Sequence, residues 1–266
     1  MPPRRIKKYG WIPDIPDPRD VFYAAPPAVL TALPPKADLR DACPPVYDQG
    51  ELGSCTANAI AGAIQFEQKK QQLVNFTPSR LFIYYNEREI EGTVGTDSGA
   101  RIRDGIKTVV KIGACPETDW LYNIAQFVGP PPPPCKPDAA KNHVLAYHRV
   151  AQSLSQMKAC LAEGYPFVFG FTVYESFESP EVAKTGVVPM PASSEAQIGG
   201  HAVAAVGYDD TQQRFIVRNS WGPAWGMAGY CTMPYAYLSD PQYASDFWTI
   251  RGMTGQPAQV RAVSAA

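Results

Sequence analysis

The chain has 266 residues, 45% of them hydrophobic, and its 24 lysines and arginines against 25 aspartates and glutamates leave a net charge of −1. That content supports a substantial core, and so even a charge balance carries neither the basic footprint of a nucleic-acid binder nor the pattern of a membrane-surface protein. The basic start Met1–Lys8 is followed by no apolar stretch, so it reads as neither signal peptide nor membrane span, and a soluble cytoplasmic monomer is expected unless another export route operates.

Residues 1–32 hold many prolines, among them Pro13, Pro16, Pro18, Pro26 and Pro27, with little hydrophobic periodicity, which predicts an extended segment rather than a packed domain. Trp11, Ile12 and Ile15 each cost roughly 1.5 to 3 kcal/mol to leave in water, so they are expected to dock on the folded body. Apolar residues at helical spacing then predict helices over about 56–72, 77–90 and 98–112. Cys55 falls at the start of the first, where unpaired amides and the helix dipole favour an anion, as a nucleophilic thiolate requires. A small buried hydrophobe is the plainer reading of the same position.

Pro130–Pro134 is expected to form a stiff polyproline II stretch. After it come strand-like runs at 143–151, 166–174, 201–208, 214–219 and 228–234, interrupted by a helix over 153–163 that Ser153 can cap. The turn residues Asp209–Gln213 make a hairpin of the third and fourth runs. If it is symmetric about residue 210, His201 and Asn219 face each other, and an amide oxygen can accept the imidazole proton. Cys55, His201 and Asn219 then read as nucleophile, base and the residue that orients the base.

These residues resemble the papain-like, cathepsin-type (C1) cysteine peptidases, a family with its cysteine near the mature N-terminus and its histidine and asparagine far downstream. The match runs from about Leu33 to Trp248, and residues 219–230 fit N-S-W-G-x-x-W-G-x-x-G-Y throughout. The resemblance implies an α+β, two-lobe fold with the site in a cleft. Its parts are an N-terminal extension at 1–32, a helical lobe with the nucleophile at 33–128, a proline-rich crossover at 129–138, a β-rich lobe with histidine and asparagine at 139–250, and a tail at 251–266. It implies peptide or protein substrates, hydrolysis through a thioester, and no cofactor.

By the same resemblance Gln49 supplies an oxyanion donor beside the Cys55 amide, and Trp221 shields the His201–Asn219 hydrogen bond. Ser98, Gly99, Gly200 and Trp221 are the expected substrate-binding positions, the first two in a loop whose glycine backbone pairs with substrate. The pocket for the second residue before the scissile bond is expected to involve Tyr243–Phe247. The family's long helical pro-region is absent, and the segment around Trp11 is expected to occupy the cleft as a regulator, or else to clasp another surface and add stability. Aminopeptidase, acyl transferase and noncatalytic peptide binding are the competing functions.

The chain departs from the family at the nucleophile, where Leu52-Gly53-Ser54-Cys55-Thr56 replaces C-G-S-C-W and removes a disulfide partner. Cys160 and Cys231 read as buried thiols, and pairing among Cys43, Cys115 and Cys135 is open. Gly222, Gly226 and Gly229 lack the ending of a phosphate loop, and Cys135, His143 and His148 lack a paired C-x-x-C, so neither a nucleotide nor a metal site is expected.

Overall fold

The computed structural model describes residues 9–258, so the basic start and the end of the expected tail lie outside it. In chain order the helices are α1 (Pro27–Thr31), α2 (Cys55–Lys70), α3 (Arg80–Glu91), α4 (Ile102–Lys111), α5 (Cys135–Ala139), α6 (Leu154–Ala162), α7 (Pro180–Thr185) and α8 (Tyr235–Ser239). The strands are β1 (Lys36–Asp38), β2 (Tyr147–Arg149), β3 (Phe167–Tyr174), β4 (Gln197–Asp209), β5 (Arg214–Arg218), β6 (Tyr230–Pro234) and β7 (Ala244–Ile250). They form one antiparallel sheet ordered β2-β7-β3-β4-β5-β6, with β1 also on β4. Among the described residues no helix is long and apolar enough to cross a membrane.

Local chemistry sets the helix ends. The Ser79 side chain accepts from the Phe82 amide to start α3, and Gly92 ends it in the left-handed conformation. α2 is buried from Cys55 to Gln68, and even its polar Gln65 is satisfied, with Tyr47 at 2.5 Å and Asn75 at 2.9 Å. α2, α3 and α4 enclose one apolar core, and the sheet packs a second around Phe167, Phe169, Phe171 and Phe247.

Several expectations are corrected. Pro133 and Pro134 form a turn rather than polyproline II, with the Cys135 amide donating to the Pro132 carbonyl at 3.1 Å, because proline is compatible with a helix start and α5 begins at once. The hairpin is not symmetric about residue 210: Ala204 faces Arg218 and Ala205 faces Val217, with an irregularity before Gly207. His201 is therefore offset by two residues from a direct pairing with Asn219, a shift that preserves the face. Ala244–Ile250, not expected as a strand, forms β7 and takes in most of the stretch expected to border a substrate pocket. All six cysteines are thiols, with Cys115 and Cys135 adjoining.

The N-terminal segment divides into two parts. Residues 20–32 are built into the sheet side: the Tyr23 amide donates to the Arg149 carbonyl at 2.8 Å, the Tyr23 ring is 6% exposed, and Asp20 pairs with Arg103 at 2.5 Å and Arg149 at 2.9 Å. Residues 9–14 instead cross between the two cores. Asp14 receives the Arg103 amide at 3.1 Å, capping the first turn of α4 from outside, and the Trp248 indole at 2.8 Å. Ile15, expected to dock, is 66% exposed; its carbonyl takes the Arg103 guanidinium, so backbone rather than side chain holds this point.

Candidate active site

Cys55 is the first residue of α2 and is fully buried. Burial pushes its thiol up to about 12, while the backbone amides of Ala202, Gly10 and Thr56 pull in the opposite direction by pointing hydrogen at the sulfur. The expectation of a thiolate favoured by the helix start is thus not met in this arrangement. Desolvation outweighs the amides, one of which, that of Gly10, comes from the chain's own N-terminal segment.

His201 stands on β4 with no exposed surface, next to the Ala202 amide that reaches the thiol. Its Nε2 lies 2.8 Å from Asn219 Oδ1. The same Asn219 atom accepts the Ser220 amide at 2.8 Å, which identifies it as the oxygen and makes the imidazole the donor at Nε2. The neutral ring therefore carries its proton on Nε2 and its lone pair on Nδ1. The Trp221 ring lies 5.1 Å from the imidazole, with Phe171 and Phe177 also against it, excluding water from the His201–Asn219 contact.

Gln49 is buried and tied to the asparagine segment. Its Oε1 accepts the Ser220 hydroxyl at 2.6 Å, its amide donates to the Ser220 carbonyl at 2.9 Å, and its Nε2 donates to the Leu52 carbonyl at 3.0 Å. A side-chain amide nitrogen has two hydrogens, so one remains for another acceptor. Beneath the site, the fully buried Glu87 carboxylate accepts the Thr56 hydroxyl at 2.8 Å.

The segment over the site meets both walls. The Trp11 amide donates to the Gly200 carbonyl at 3.0 Å, the Ala100 amide to the Gly10 carbonyl at 2.7 Å, and the Ile12 amide to the Ala100 carbonyl at 3.0 Å. The Tyr9 ring stands edge-on to His201 at 6.2 Å, with its hydroxyl on the Glu178 carboxylate. Gly10 fits where a side chain cannot: a Cβ there would lie 1.7 Å from the Gly53 carbonyl oxygen.

The structure thus brings Cys55, His201, Asn219, Gln49 and Gly200 together. Ser98 is turned into its own loop, bonded to Thr93 at 2.8 Å, and strand-like pairing falls on Ala100 rather than Gly99. Gly99 makes room instead, since a Cβ there would lie 2.3 Å from the Gly10 oxygen. Trp221 is buried against His201 and offers no open surface to a substrate. Tyr9 and Gly10 belong to the segment expected in the cleft, but their individual contacts, and Glu178 and Ala100 altogether, escaped sequence reasoning. The one available signal was a glycine between two aromatics in an otherwise proline-rich stretch.

A papain family cysteine protease profile matches residues 33–241. The chain belongs to the papain family of cysteine proteases. Among related proteins, this papain-family chain is 45% identical to an uncharacterized peptidase C1-like protein of Acanthamoeba polyphaga mimivirus, over 93% of this chain and 88% of that one. Among solved structures it is similar to xylellain, a cysteine protease from Xylella fastidiosa, at 49% identity and a TM-score of 0.86, covering 93% of this chain and 98% of that one. Digestive procathepsin L 3 of the Tenebrio molitor larval midgut shares the fold at 18% identity and a TM-score of 0.70, covering 87% of this chain and 74% of that one. The papain-like α+β fold and the cysteine protease class expected from the sequence are both found.

Proposed function

We propose that this protease cuts peptide bonds with Cys55 as nucleophile, His201 as base and acid, and Asn219 holding the imidazole, and that residues 9–12 keep it latent. His201 Nδ1 takes the thiol proton as sulfur bonds to the peptide carbonyl carbon. The oxyanion is held by the second Gln49 Nε2 hydrogen and the Cys55 amide. Collapse breaks the C–N bond, and the amine leaves with the proton from His201. Water, deprotonated by His201, then splits the thioester and restores the thiol. The domain division at 129–138, with helical residues 33–128 on one side and 139–250 on the other, belongs to the same reading.

The observation that carries latency is what Gly10 presents to the sulfur. Its N–H faces Cys55 while its carbonyl is held by Ala100 at 2.7 Å, so the thiol meets a hydrogen where a substrate must offer a carbonyl carbon. The segment can therefore fill the site without being cut. Gly10→Val tests this directly, because the added side chain has no room against Gly53. The expected result is a several-fold higher kcat/KM on small peptides than the parent chain, with Cys55→Ser inactive in both backgrounds. Unchanged kinetics in a folded Gly10→Val protein favours a purely structural clasp.

A further inference from the structure

Cys115 and Cys135 are both fully buried in the helical core, with their thiols in hydrogen-bonding contact. Cys43 and Cys160 lie instead against the Leu39 and Tyr165 carbonyls, at 3.4 and 3.5 Å. Among the described residues no group of three or more histidines, cysteines, aspartates or glutamates is placed to hold a metal ion, so the chemistry open to the adjoining pair is with each other.

The pair closes the base of a loop. The Ser79 amide, at the start of α3, donates to the Cys115 carbonyl at 2.8 Å, and the Glu117 amide donates to the Thr77 carbonyl at 2.7 Å. Cys135 opens α5. Residues 116–134 run between them, and Leu121, Ile124 and Val128 of that run are exposed. A segment with so few buried contacts opens more readily than the core.

This loop also supports the active site. The Tyr122 hydroxyl donates to the Gln49 carbonyl at 2.9 Å and takes the Ser54 hydroxyl at 2.5 Å, one residue before Cys55. The Arg80 guanidinium lies 3.9 Å over the Tyr122 ring, and the Ser79 hydroxyl donates to the Trp120 carbonyl at 2.9 Å. Fixing the two ends of the loop therefore steadies Tyr122, and through it the backbone of Gln49 and the residue before the nucleophile.

We infer that Cys115 and Cys135 form a disulfide when the chain folds in the presence of a small-molecule disulfide such as oxidised glutathione, and that this bond is a redox-controlled brace for the Tyr122 loop. One cysteine, as thiolate, attacks the small disulfide and displaces one small thiolate; the second cysteine thiolate then displaces the other. The two protein thiols are oxidised to one S–S bond, and the small disulfide is reduced to two thiols that take up the two protons. The exchange takes place before α5 docks, because burial afterwards closes both sulfurs to solvent and pushes both thiols up.

The test uses the full chain carrying Cys55→Ser, which keeps five of the six cysteines and removes the nucleophile from the thiol count. It is refolded from urea, or held just below its Tm if refolding fails, with oxidised glutathione or with a reductant. Alkylation under denaturing conditions should find three thiols in the first sample and five in the second, with Cys115 and Cys135 linked in the peptide map. Closing a loop of about 20 residues should raise Tm by about 5 to 10 °C, and amide exchange in the peptide carrying Tyr122 should slow. Adding Cys115→Ser, or Cys115→Ala if serine impairs folding, should remove both effects. Five thiols after oxidation, a link between any other cysteines, or a linked chain with no gain in Tm or in Tyr122 protection overturns the inference. None of these readouts uses turnover, so they stand whatever the peptidase assays give.

Discussion

His201 Nε2 and Asn219 Oδ1 meet at 2.8 Å although their strands are registered two residues away from pairing them directly. Across an antiparallel pair, same-face residues two positions apart remain within reach of longer side chains, and here the imidazole spans the diagonal. The position directly opposite His201 falls to Trp221 if the register at Ala204 is continued, which places the indole against the ring.

His201→Ala is expected to lower kcat/KM by about 10²- to 10⁴-fold, the usual contribution of a general acid–base. Asn219→Ala should cost less, and the double variant should cost little more than His201→Ala alone, because the asparagine acts only through the imidazole. Peptide hydrolysis by the three purified variants checks this. Simple multiplication of the two losses would show that Asn219 has a separate role.

Gln49→Ala is expected to reduce kcat by about 10²- to 10³-fold, the ordinary cost of losing one preorganised oxyanion donor. Alkylation of the thiol forms no oxyanion, so its rate in a Gly10→Val background should change far less. Parallel loss in both assays would instead point to movement of the Ser220 segment that Gln49 holds.

The thiol of Cys55 is raised to about 12 by burial. Because the thiolate is the reactive form, iodoacetamide should label Cys55 slowly at neutral pH in the parent chain, with a rate still climbing into the alkaline range. In Gly10→Val the curve should move to lower pH. Mass spectrometry of the labelled peptide against pH reads both profiles, and identical curves would mean that the segment does not cause the burial.

Removing residues 1–12 should leave the protein folded, whereas removing 1–32 should not be benign. The longer deletion takes away buried Tyr23 and strands Arg103 and Arg149 without Asp20. Breaking a buried ion pair costs about 3 to 5 kcal/mol, and about 2 to 4 °C accompanies each kcal/mol at this size. A Tm lower by roughly 10 °C or more is expected for the longer deletion. Equal melting of the two truncations would contradict the division of the segment.

Burial raises the Glu87 carboxyl well above the ordinary range. The folded state therefore binds this proton more tightly than the unfolded state, so the associated stability is present below the ordinary glutamate pKa and is lost as pH rises through the raised value. Urea unfolding from pH 4 upward should show that decline in the parent protein and a flatter curve in Glu87→Gln. A decline of equal slope in both would assign it to other groups.

The features legible in the sequence were those with strong local pattern. α2 announces itself through Ala57, Ile60, Ala61 and Ile64, and the asparagine motif occupies one continuous stretch. β7 was hidden because Ser245 and Asp246 interrupt its apolar residues, and Asp246 adopts a left-handed backbone beside a register shift. The sequence points to the segment around Trp11 as the occupant of the cleft, but the contacts that seat it are hidden for another reason. Gly10 gains its meaning from Gly53 and Ala100, and Trp11 from Gly200, contacts that no local periodicity encodes. The Asp20 ion pairs are likewise long-range, so residues 1–32 read as a single extended piece.

The short run from Ile15 to Arg19 joins a part of the chain embedded beside the sheet to the part that lies on the thiol. Under the proposed latency it is a tether, and short tethers hold their ends together at an effective concentration on the order of millimolar. A displaced cover would then stay close enough to return, and a substrate would compete with it at a strength independent of how dilute the protein is. One cut among the exposed residues of that run would end the competition, converting a reversible equilibrium into a permanent change of state.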